Sequence, residues 1–374
     1  MALRVLIVAP WGDRLGGAEE MLWLTLKHCD RTRIEPAVVF LGPGPFAREV
    51  AGLGVPTETI GAGRLRDVPA TIGTVGRLAG VVRRRRPDVL LNWSAKAHIY
   101  GAPAAVAAGG RVRTLWWQHA TPDGHWVDRL ATLLPARAVG ASSEAARAAQ
   151  GALRPRRPVF VVHPGVEWQR RPGSPTGAET RRRLGIPADA AVAGIVGRLH
   201  PFKCQDRFLR ALAELRRRGQ DVHGLIVGGD AFDLAPAYLG ELRALIRELG
   251  LEDRVTMTGQ VADATPYFDA MDVAVSASVG EGFGIVLIEA MAAGVPVVAV
   301  ASGGPREIVE DGVTGVLVAA NGPALLADAV GGLLADPDRR ARMSAAATRA
   351  SRHRFSAEAM AARITAELTE LARA

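Results

Sequence analysis

Short runs of apolar residues alternate with longer segments of helical periodicity along the first half of the chain. The first run, Arg4 to Ala9, predicts a strand, and a loop from Pro10 to Gly17 and a helix from Ala18 to about His28 follow it. Further strands are predicted at Pro36 to Phe40, Val55 to Thr59, Val89 to Trp93, Arg113 to Trp117, Val139 to Ala141 and Val159 to Val162. Helical segments fill the intervals, and Ser142 or Ser143 is a suitable N-cap for the last of them. This alternation indicates a parallel sheet covered by helices on both faces.

The alternation lapses once and then restarts. Between His163 and Gly177 the sequence turns to Pro, Gly, Arg and Ser, which is typical of a linker. Beyond it, strands are predicted at Ala191 to Val196, His223 to Val227, Arg254 to Thr258, Val273 to Ser276, Pro296 to Val300 and Val316 to Val318. The tail from Pro323 to Ala374 is almost entirely helical in pattern.

This organisation predicts two α/β domains. We place them at residues 1–170 and 178–355, and we expect a last helix near 356–374 to pack back on the first domain. In parallel sheets, ligands gather at the carboxyl ends of the strands. A cleft between the domains, lined by loops at strand ends, is therefore the expected site.

The composition is that of a soluble globular protein. The 374 residues suit two domains, and 48% apolar with 22% charged residues excludes a disordered chain. Cys29 and Cys204 cannot form a disulfide framework and lack the spacing of metal ligands, so we expect a reducing, cytoplasmic location. No apolar run reaches the roughly 18 residues of a spanning helix, and Leu3 to Pro10 is too short for a secretion signal.

The charge is basic and is carried almost wholly by arginine. Lys and Arg total 46 against 38 Asp and Glu, a formal net charge of +8, and three of the 46 are lysines. This balance is compatible with a nucleic acid, an anionic membrane or an anionic small molecule, and also with compositional drift. Clusters at Arg83–Arg86, Arg181–Arg183 and Arg216–Arg218 coincide with ends of predicted helices, which favours solvated faces, and no nucleic-acid-binding motif accompanies them.

The segment Ser276 to Gly294 has the pattern of a phosphate site. A strand ends in small residues, glycines follow, and a helix is predicted to begin near Phe283. Gly282 and Gly284 leave space at the helix N-terminus, where backbone N–H groups and the helix dipole suit a phosphate.

Two carboxylates accompany that helix. Glu281 lies in the turn, and Glu289 is the only charged residue between Phe283 and Gly294. A buried carboxylate needs hydrogen-bond donors, so Glu289 is expected to meet hydroxyl or amide groups. The alternative is that Glu289 lies on a narrow exposed strip of an otherwise buried helix.

A second segment, Gly197 to Gln205, follows the first strand of the second domain. It brings Arg198 and Lys203 to a strand's carboxyl end, where two cations beside a helix N-terminus can neutralise a diphosphate. A solvated lysine at a helix start is the alternative for Lys203.

Together these segments resemble the retaining GT-B glycosyltransferases of family 4, through Glu281 and Glu289 as E-x7-E and through Arg198 and Lys203 as G-R-x4-K. The resemblance extends to the segments 16–20 (GGAEE), 163–167 (HPGVE), 226–230 (IVGGD), 251–261 (LEDRVTMTGQV), 302–309 (SGGPREIV) and 311–318 (DGVTGVLV). It implies an α/β fold of GT-B type, in which two Rossmann-like, doubly wound domains face a central cleft.

The resemblance also implies roles for residues. Glu289 would hold the ribose of a nucleoside-diphosphate sugar, Glu281 the hydroxyls of the donor sugar, and Arg198 with Lys203 the diphosphate. His119 would lie near the anomeric end of the sugar and, with Arg198, Lys203 and Glu281, complete the catalytic set. The other donor-binding positions implied are Gly16, Gly17, Val261, Gly282, Phe283, Gly284 and Ile285.

The family's reaction is front-face substitution with retention, in which the leaving phosphate accepts the acceptor's proton. The resemblance implies neither a metal nor another cofactor, and no D-x-D metal motif occurs at a strand end. One position departs from the family: Cys204 stands where a glycine commonly follows the motif lysine. Its bulkier side chain could shift the helix start.

The expected function is transfer of a hexose or N-acetylhexosamine from a nucleoside-diphosphate sugar, with UDP favoured over GDP or ADP as the commonest in the family. Acceptor-binding candidates in the first domain are Trp93, Lys96, Trp117, His119, Asp123 and His125, since aromatic faces beside polar groups suit sugars. Single tryptophans among them can equally be core residues.

The acceptor stays open between a soluble aminocyclitol, natural product or small sugar and the headgroup of a phospholipid or glycolipid, so peripheral membrane contact stays open too. A glycoside hydrolase also uses paired carboxylates, and an arginine-rich module for nucleic acid or membrane would also be basic. Neither explains the spacing of the glutamates and Lys203, and no nucleic-acid partner is expected.

Overall fold

The computed structural model describes residues 2–14, 16–167, 173–230, 235–320 and 322–373. The chain divides into two compact units. The N-terminal unit comprises Met1–Gly165 with Ala357–Ala374, and the C-terminal unit comprises Val166–Ser356. Part of the predicted linker, at 168–172, lies outside the described residues, as does the predicted boundary at residue 170. Among the described helices, none combines the length and the apolar character needed to cross a membrane.

The N-terminal unit contains a parallel sheet in the order β3-β2-β1-β4-β5-β6-β7. The strands are β1 (Leu3–Ala9), β2 (Ile34–Phe40), β3 (Thr57–Thr59), β4 (Val89–Asn92), β5 (Arg113–Gln118), β6 (Ala138–Ala141) and β7 (Val159–Val161). The helices are α1 (Gly17–His28), α2 (Pro45–Gly52), α3 (Val68–Arg85), α4 (Ala95–Ala107), α5 (Trp126–Leu133), α6 (Glu144–Ala152) and the C-terminal α15 (Ala357–Arg373).

The C-terminal unit contains a second parallel sheet in the order β10-β9-β8-β11-β12-β13. Its strands are β8 (Ala191–Val196), β9 (Val222–Val227), β10 (Val255–Met257), β11 (Val273–Ser276), β12 (Val297–Val300) and β13 (Gly315–Val318). Its helices are α7 (Gly177–Arg183), a 3₁₀ turn (Pro201–Lys203), α8 (Gln205–Arg217), α9 (Tyr238–Glu248), α10 (Thr265–Phe268), α11 (Ile285–Ala292), α12 (Pro305–Ile308), α13 (Pro323–Leu334) and α14 (Pro337–Arg354). Each predicted strand overlaps an observed one.

The alternation of side chains along β1 shows why both faces of the sheet are covered. Val5 and Ile7 pack into one apolar cluster, which also contains Met360 and Ile364 of α15. Leu6 and Val8 point the other way, into the cluster formed with α3 and α4. Successive residues of a strand alternate faces, so a wholly apolar strand needs two apolar layers. The α/β class that the sequence predicts is confirmed.

Side-chain caps fix where several helices begin. The Ser143 hydroxyl accepts a hydrogen bond from Ala146 N at 3.0 Å, so Ser143 rather than Ser142 is the N-cap of α6. Ser94 caps α4 in the same way through Ala97 N, also at 3.0 Å. Each such cap contributes about 1 kcal/mol, because it satisfies an N–H that has no partner within the helix.

Both sheets have a point at which the strand order reverses direction. In the N-terminal unit β1 lies between β2 and β4, and in the C-terminal unit β8 lies between β9 and β11. Helices following the two central strands leave towards opposite faces there, which opens a crevice at the carboxyl ends of those strands. The loops after β8 and β11 are therefore where a ligand of the C-terminal unit is expected.

Candidate functional site

A lysine and a glutamate meet at the strand reversal of the C-terminal unit. Lys203 Nζ lies 2.6 Å from Glu281 Oε2, in an ion pair between the loop after β8 and the loop after β11. The side chains are 19% and 11% exposed, so the pair is largely shielded from water. The two residues are 78 positions apart in the chain, and they meet because β8 and β11 are neighbours.

The loop after β8 is built to present Lys203. Gly197 N donates to Val227 O at 2.9 Å and has φ of 147°, a backbone conformation that favours glycine. A Cβ added there would lie 3.7 Å from Lys203 Cε. His200 Nδ1 then accepts from Phe202 N at 3.1 Å and caps the 3₁₀ turn that ends at Lys203.

Cys204 has a left-handed backbone, with φ of 52° and ψ of 43°. This conformation is steric strain for any residue with a Cβ and none for glycine, which explains why a glycine suits this position. The cysteine does not displace the helix: α8 begins at the next residue, Gln205. The thiol lies 3.7 Å from Phe202 O, and burial raises the pKa of Cys204.

Two further side chains, which the sequence analysis missed, tie the start of α8 to the strand ends. Gln205 Nε2 donates to Arg198 O at 2.7 Å, and Arg207 Nη1 donates to Ala277 O at 3.1 Å. Gln205 is 1% exposed. Neither residue follows a chemical spacing rule, so their roles depend on the three-dimensional approach of the two loops.

Two glycines allow a second loop to lie directly against the backbone of the Glu281 loop. Gly304 N donates to Glu281 O at 2.9 Å. A Cβ added to Gly303 would lie 2.2 Å from Glu281 O, and one added to Gly304 would lie 2.2 Å from Phe283 O. These glycines belong to the S-G-G-P-R segment that carries part of the family resemblance. The sequence analysis noted this segment but gave its glycines no structural role. Only glycine allows this approach of the two backbones.

The helix after this loop begins two residues later than predicted. Gly284, with φ of 103°, is the N-cap, and α11 starts at Ile285 rather than near Phe283. The left-handed glycine turns the chain before the helix, and Phe283 is buried at 4% exposure, where it packs on Phe355. The first N–H groups of α11 have no acceptor within the helix. Its N-terminus is therefore suited to an anion.

The other donor-site candidates of the C-terminal unit lie as follows. Arg198 is exposed in the loop after β8, and Val261 is half-buried after β10. Glu289 is half-buried on α11, and Gly282 is half-buried in the Glu281 loop. Among the described residues, no group of three or more His, Cys, Asp or Glu side chains could hold a metal ion.

Two acceptor candidates of the N-terminal unit need correction. Trp93 is 1% exposed and Trp117 is 0% exposed, and their rings stack at a centroid distance of 5.4 Å. Trp93 Nε1 donates to Ala18 O at 2.8 Å. Both indoles belong to one apolar core cluster, with Trp93 directly after β4 and Trp117 within β5. Neither presents a face to an acceptor.

His119 has both ring nitrogens engaged. Nε2 lies 3.0 Å from Trp93 O, a carbonyl that can only accept, so Nε2 carries the proton. Nδ1 then accepts from Ser142 Oγ at 3.4 Å, and that hydroxyl in turn accepts from Trp117 Nε1 at 3.2 Å. Burial lowers the pKa of His119 to about 4. The imidazole is neutral at pH 7 and is oriented by its neighbours.

The remaining candidates of the N-terminal unit are more accessible. Gly16 and Gly17 are exposed, and they are the N-cap and the first residue of α1. Lys96, in the first turn of α4, places Nζ 3.7 Å from the Trp11 ring centroid, and burial lowers its pKa. Asp123 and His125 are exposed before α5, where Asp123 Oδ1 accepts from His125 N at 2.8 Å.

The C-terminal unit also matches a family of known enzymes. Residues 177–350 match the family model described as glycosyl transferases group 1. This segment is therefore similar to group 1 glycosyltransferases. The matched segment includes both strand-end loops and the Lys203–Glu281 pair, so the resemblance found in the motifs is confirmed.

Curated relatives support the same family. The chain is 40% identical over 205 residues to the D-inositol 3-phosphate glycosyltransferase of Kineococcus radiotolerans. This match covers 51% of this chain and 47% of the relative. It is 39% identical over 220 residues to the enzyme of the same name from Thermobispora bispora, with 57% and 50% covered. The matches thus span about half the length of these relatives.

Solved structures show the fold over nearly the whole chain. Anabaena Alr3699/HepE in complex with UDP-glucose is 27% identical, with a TM-score of 0.85 over 98% of this chain and 100% of that one. Sucrose-phosphate synthase from Thermosynechococcus elongatus, at 21% identity, has a TM-score of 0.81 over 99% of each chain. The fold is that of GT-B glycosyltransferases, as expected from the motifs.

Proposed function

We propose that this protein is a retaining glycosyltransferase that moves a hexosyl or N-acetylhexosaminyl group from a UDP-sugar to a hydroxyl group of a soluble polyol acceptor. The observation that carries the proposal is the Lys203–Glu281 pair, with Nζ and Oε2 2.6 Å apart at the strand reversal of a group 1 glycosyltransferase domain. Lys203 and Glu281 are thereby in one place, ready to face a diphosphate and the sugar attached to it.

The charge of the departing diphosphate sets the chemistry. When the bond between the anomeric carbon and the phosphate oxygen breaks, negative charge grows on the diphosphate. Lys203, Arg198 and the N-terminus of α11 would face that charge, and such preorganised donors lower the barrier by several kcal/mol. Glu281 would accept hydrogen bonds from the sugar hydroxyls, and Glu289 from the ribose.

Retention follows if the acceptor attacks from the face that the diphosphate leaves. The acceptor oxygen forms the new bond to the anomeric carbon, and its proton goes to the departing phosphate oxygen. The protein then supplies no nucleophile and no general base. In this proposal side-chain cations and not a metal face the diphosphate, so an excess of EDTA would leave turnover unchanged.

Two comparisons support the choice of substrates. The Anabaena protein, 27% identical over 98% of this chain, was solved in complex with UDP-glucose, which favours UDP as the nucleotide. The curated relatives are named for D-inositol 3-phosphate, which favours a cyclitol among soluble acceptors. The family model, at 177–350, lies wholly in the C-terminal unit, so the acceptor is proposed from these names and from Lys96, Asp123 and His125.

A donor panel tests the proposal first. A nucleotide at about 100 times its dissociation constant stabilises a protein that binds it by about 2.7 kcal/mol, so UDP, GDP and ADP can be compared by thermal shift. We expect a shift with UDP and none with GDP or ADP. Lys203→Ala should lose the shift, whereas Arg217→Ala, on the exposed face of α8 with a side chain 72% exposed, should keep it.

Transfer is tested next, with UDP-glucose and UDP-N-acetylglucosamine and with myo-inositol, D-inositol 3-phosphate and an aminocyclitol as acceptors. Mass spectrometry should detect a glycoside with the anomeric configuration of the donor. A product with inverted configuration would contradict the retaining mechanism. Absence of any nucleotide shift would contradict the donor site itself.

A further inference from the structure

The amino ends of three neighbouring strands in the N-terminal unit carry an unusual concentration of arginine. The segments before β5, β6 and β7, at 108–112, 134–137 and 153–158, contain five arginines and no Asp or Glu. Because β5, β6 and β7 are adjacent and parallel, these segments lie side by side along one edge of the sheet. We call the five residues the amino-edge patch: Arg111, Arg137, Arg154, Arg156 and Arg157.

The arginines of the amino-edge patch are available to a partner. All five are exposed. Within the part of the chain that the structure describes, none of them makes an ion pair. This differs from the arginines at several helix ends, such as Arg84, which pairs with Glu58 at 2.9 Å, and Arg218, which pairs with Glu214 at 2.8 Å.

The other sheet of the same chain shows that composition alone does not explain the patch. The corresponding segments before β11, β12 and β13, at 269–272, 293–296 and 309–314, contain four carboxylates and no Lys or Arg. A general drift towards arginine would make both edges basic. Of these two sets of matched segments, only the set in the N-terminal unit is basic.

Exposed apolar side chains border the amino-edge patch. Val106, near the end of α4, is 59% exposed, and Leu133, the last residue of α5, is 73% exposed. Arg111 and Arg137 follow them by a few residues. Basic side chains interspersed with exposed apolar ones are the surface that binds the headgroup region of an anionic bilayer, where the charges meet phosphates and the apolar groups leave water. On a nucleic acid, Val106 and Leu133 would stay in water.

We propose that the amino-edge patch docks this protein on the surface of an anionic phospholipid bilayer. Each arginine near such a surface adds roughly a factor of five to the affinity, and the attraction is screened once salt shortens the Debye length well below about 8 Å. The carboxyl ends of the strands of this sheet lie at the opposite edge, and there Gly17 follows β1, Lys96 follows β4 and His119 follows β5. A bilayer bound at the amino edge leaves those loops uncovered.

Vesicle sedimentation tests the docking independently of any activity. The full chain should sediment with vesicles of 70% phosphatidylcholine and 30% phosphatidylglycerol in 0.1 M NaCl, and not with pure phosphatidylcholine or in 0.5 M NaCl. The variant Arg137→Glu/Arg156→Glu/Arg157→Glu should bind about 100-fold more weakly. Its melting temperature, followed by circular dichroism, should stay near that of the wild type because the three side chains are exposed.

A matched control separates the patch from net charge. Arg210→Glu/Arg342→Glu/Arg349→Glu changes three exposed arginines of the C-terminal unit and gives the same formal charge. It should bind anionic vesicles within about twofold of the wild type. An equal loss in both triple variants would overturn the proposal, as would failure of the wild type to bind in 0.1 M NaCl.

The apolar border distinguishes a bilayer from a nucleic acid. Val106→Ser/Leu133→Ser should weaken vesicle binding about tenfold and leave the weak, salt-sensitive binding to a DNA duplex unchanged. The bilayer proposal fails if this variant binds vesicles as the wild type does and a DNA duplex displaces the vesicles at an equal concentration of negative charge. The patch would then be a nucleic-acid surface.

Discussion

Two ion pairs lie at opposite ends of the same two strands. At the carboxyl ends of β8 and β11, Lys203 Nζ is 2.6 Å from Glu281 Oε2. At the amino end, Arg181 Nη2 is 2.9 Å from Asp272 Oδ2. Their exposures are alike, 19% and 11% against 16% and 26%, so burial does not distinguish them.

The two pairs differ in how many backbone groups depend on them. Arg181 also donates to Ala270 O at 2.9 Å and to Ala190 O at 3.0 Å, and Asp272 Oδ2 accepts from Val192 N at 2.8 Å. The guanidinium fork suits such multiple contacts. The Arg181–Asp272 pair thus joins α7 to the starts of both strands, and its role is structural.

Lys203 has a different setting. Among the described residues, its ammonium group has one hydrogen-bond partner, Glu281, although it has three protons to donate. Its loop is bounded by left-handed backbone at Gly197 and Cys204. Few backbone groups depend on this pair, so its members can exchange partners for a ligand. Two ion pairs of similar exposure therefore differ in role according to the other groups that their atoms bind.

The largest effect should come from Lys203→Ala. In our proposal the ammonium group faces the departing diphosphate, so its removal should lower kcat/KM for the donor at least 100-fold, about 2.7 kcal/mol. Steady-state release of UDP measures the rate. The melting temperature should change little. A rate near that of the wild type would remove Lys203 from the diphosphate site.

Arg181→Ala should have the opposite signature. Loss of the guanidinium removes the charged partner of Asp272 and the donor to the carbonyl groups of Ala188, Ala190 and Ala270, which should lower the stability of the C-terminal unit by about 2 kcal/mol. That corresponds to a fall in melting temperature of roughly 4 to 8 °C for a unit of this size. Donor kcat/KM, measured well below the melting temperature, should stay within twofold. A large fall in donor kcat/KM without a fall in melting temperature would contradict the structural role of Arg181.

Isosteric changes of the two carboxylates should separate the two roles further. Glu281→Gln keeps an acceptor near Lys203 but removes the charge, so donor kcat/KM should fall about tenfold, or 1.4 kcal/mol, with little thermal change. Asp272→Asn should instead lower the melting temperature by about 3 °C and leave the kinetics unchanged. Equal thermal losses in the two variants would show that both pairs are structural.

The smallest effect concerns the backbone beside Lys203. Cys204→Gly relieves the left-handed strain at φ of 52° but adds freedom to the unfolded chain, so a net gain of about 0.5 kcal/mol is expected. Cys204→Ala keeps the strain and loses the thiol contact, and it should not be stabilised. Urea unfolding compares them, and donor turnover should vary less than threefold. Destabilisation by glycine would show that the thiol contact outweighs the strain.

Much of the fold was predictable because it is encoded locally. Alternating apolar runs identified the strands, and Ser143 was one of two residues proposed as the N-cap of α6. The start of α11 was missed by two residues, since the pattern of apolar residues does not reveal that Gly284 adopts φ of 103°. Arg181 was expected on a solvated face and is instead joined to backbone carbonyls, because the sequence does not show which groups approach a helix end.

The candidate site was predictable only in part. Lys203 and Glu281 were found by spacing and resemblance, whereas Gln205, Arg207 and Ser142 carry no spacing signal. Trp93 and Trp117 were proposed to contact an acceptor and are buried instead. An aromatic side chain at a strand end suits a ligand or a core equally well, and only the packing of the sheet decides between them. The roles of the remaining candidates stay predictions.

By itself, the sequence predicted the succession of strands and helices, the N-cap of α6 to within one residue and the resemblance of residues 177–350 to group 1 glycosyltransferases, because these depend on periodicity and on short motifs. The tertiary structure decided which distant residues meet. Lys203 contacts Glu281 because β8 and β11 are neighbours at the strand reversal, and five arginines from three loops share one edge because β5, β6 and β7 are parallel. The alternation of strands and helices predicted that the strands are parallel, but their order within each sheet is set by packing over the whole unit, and no local pattern specifies it.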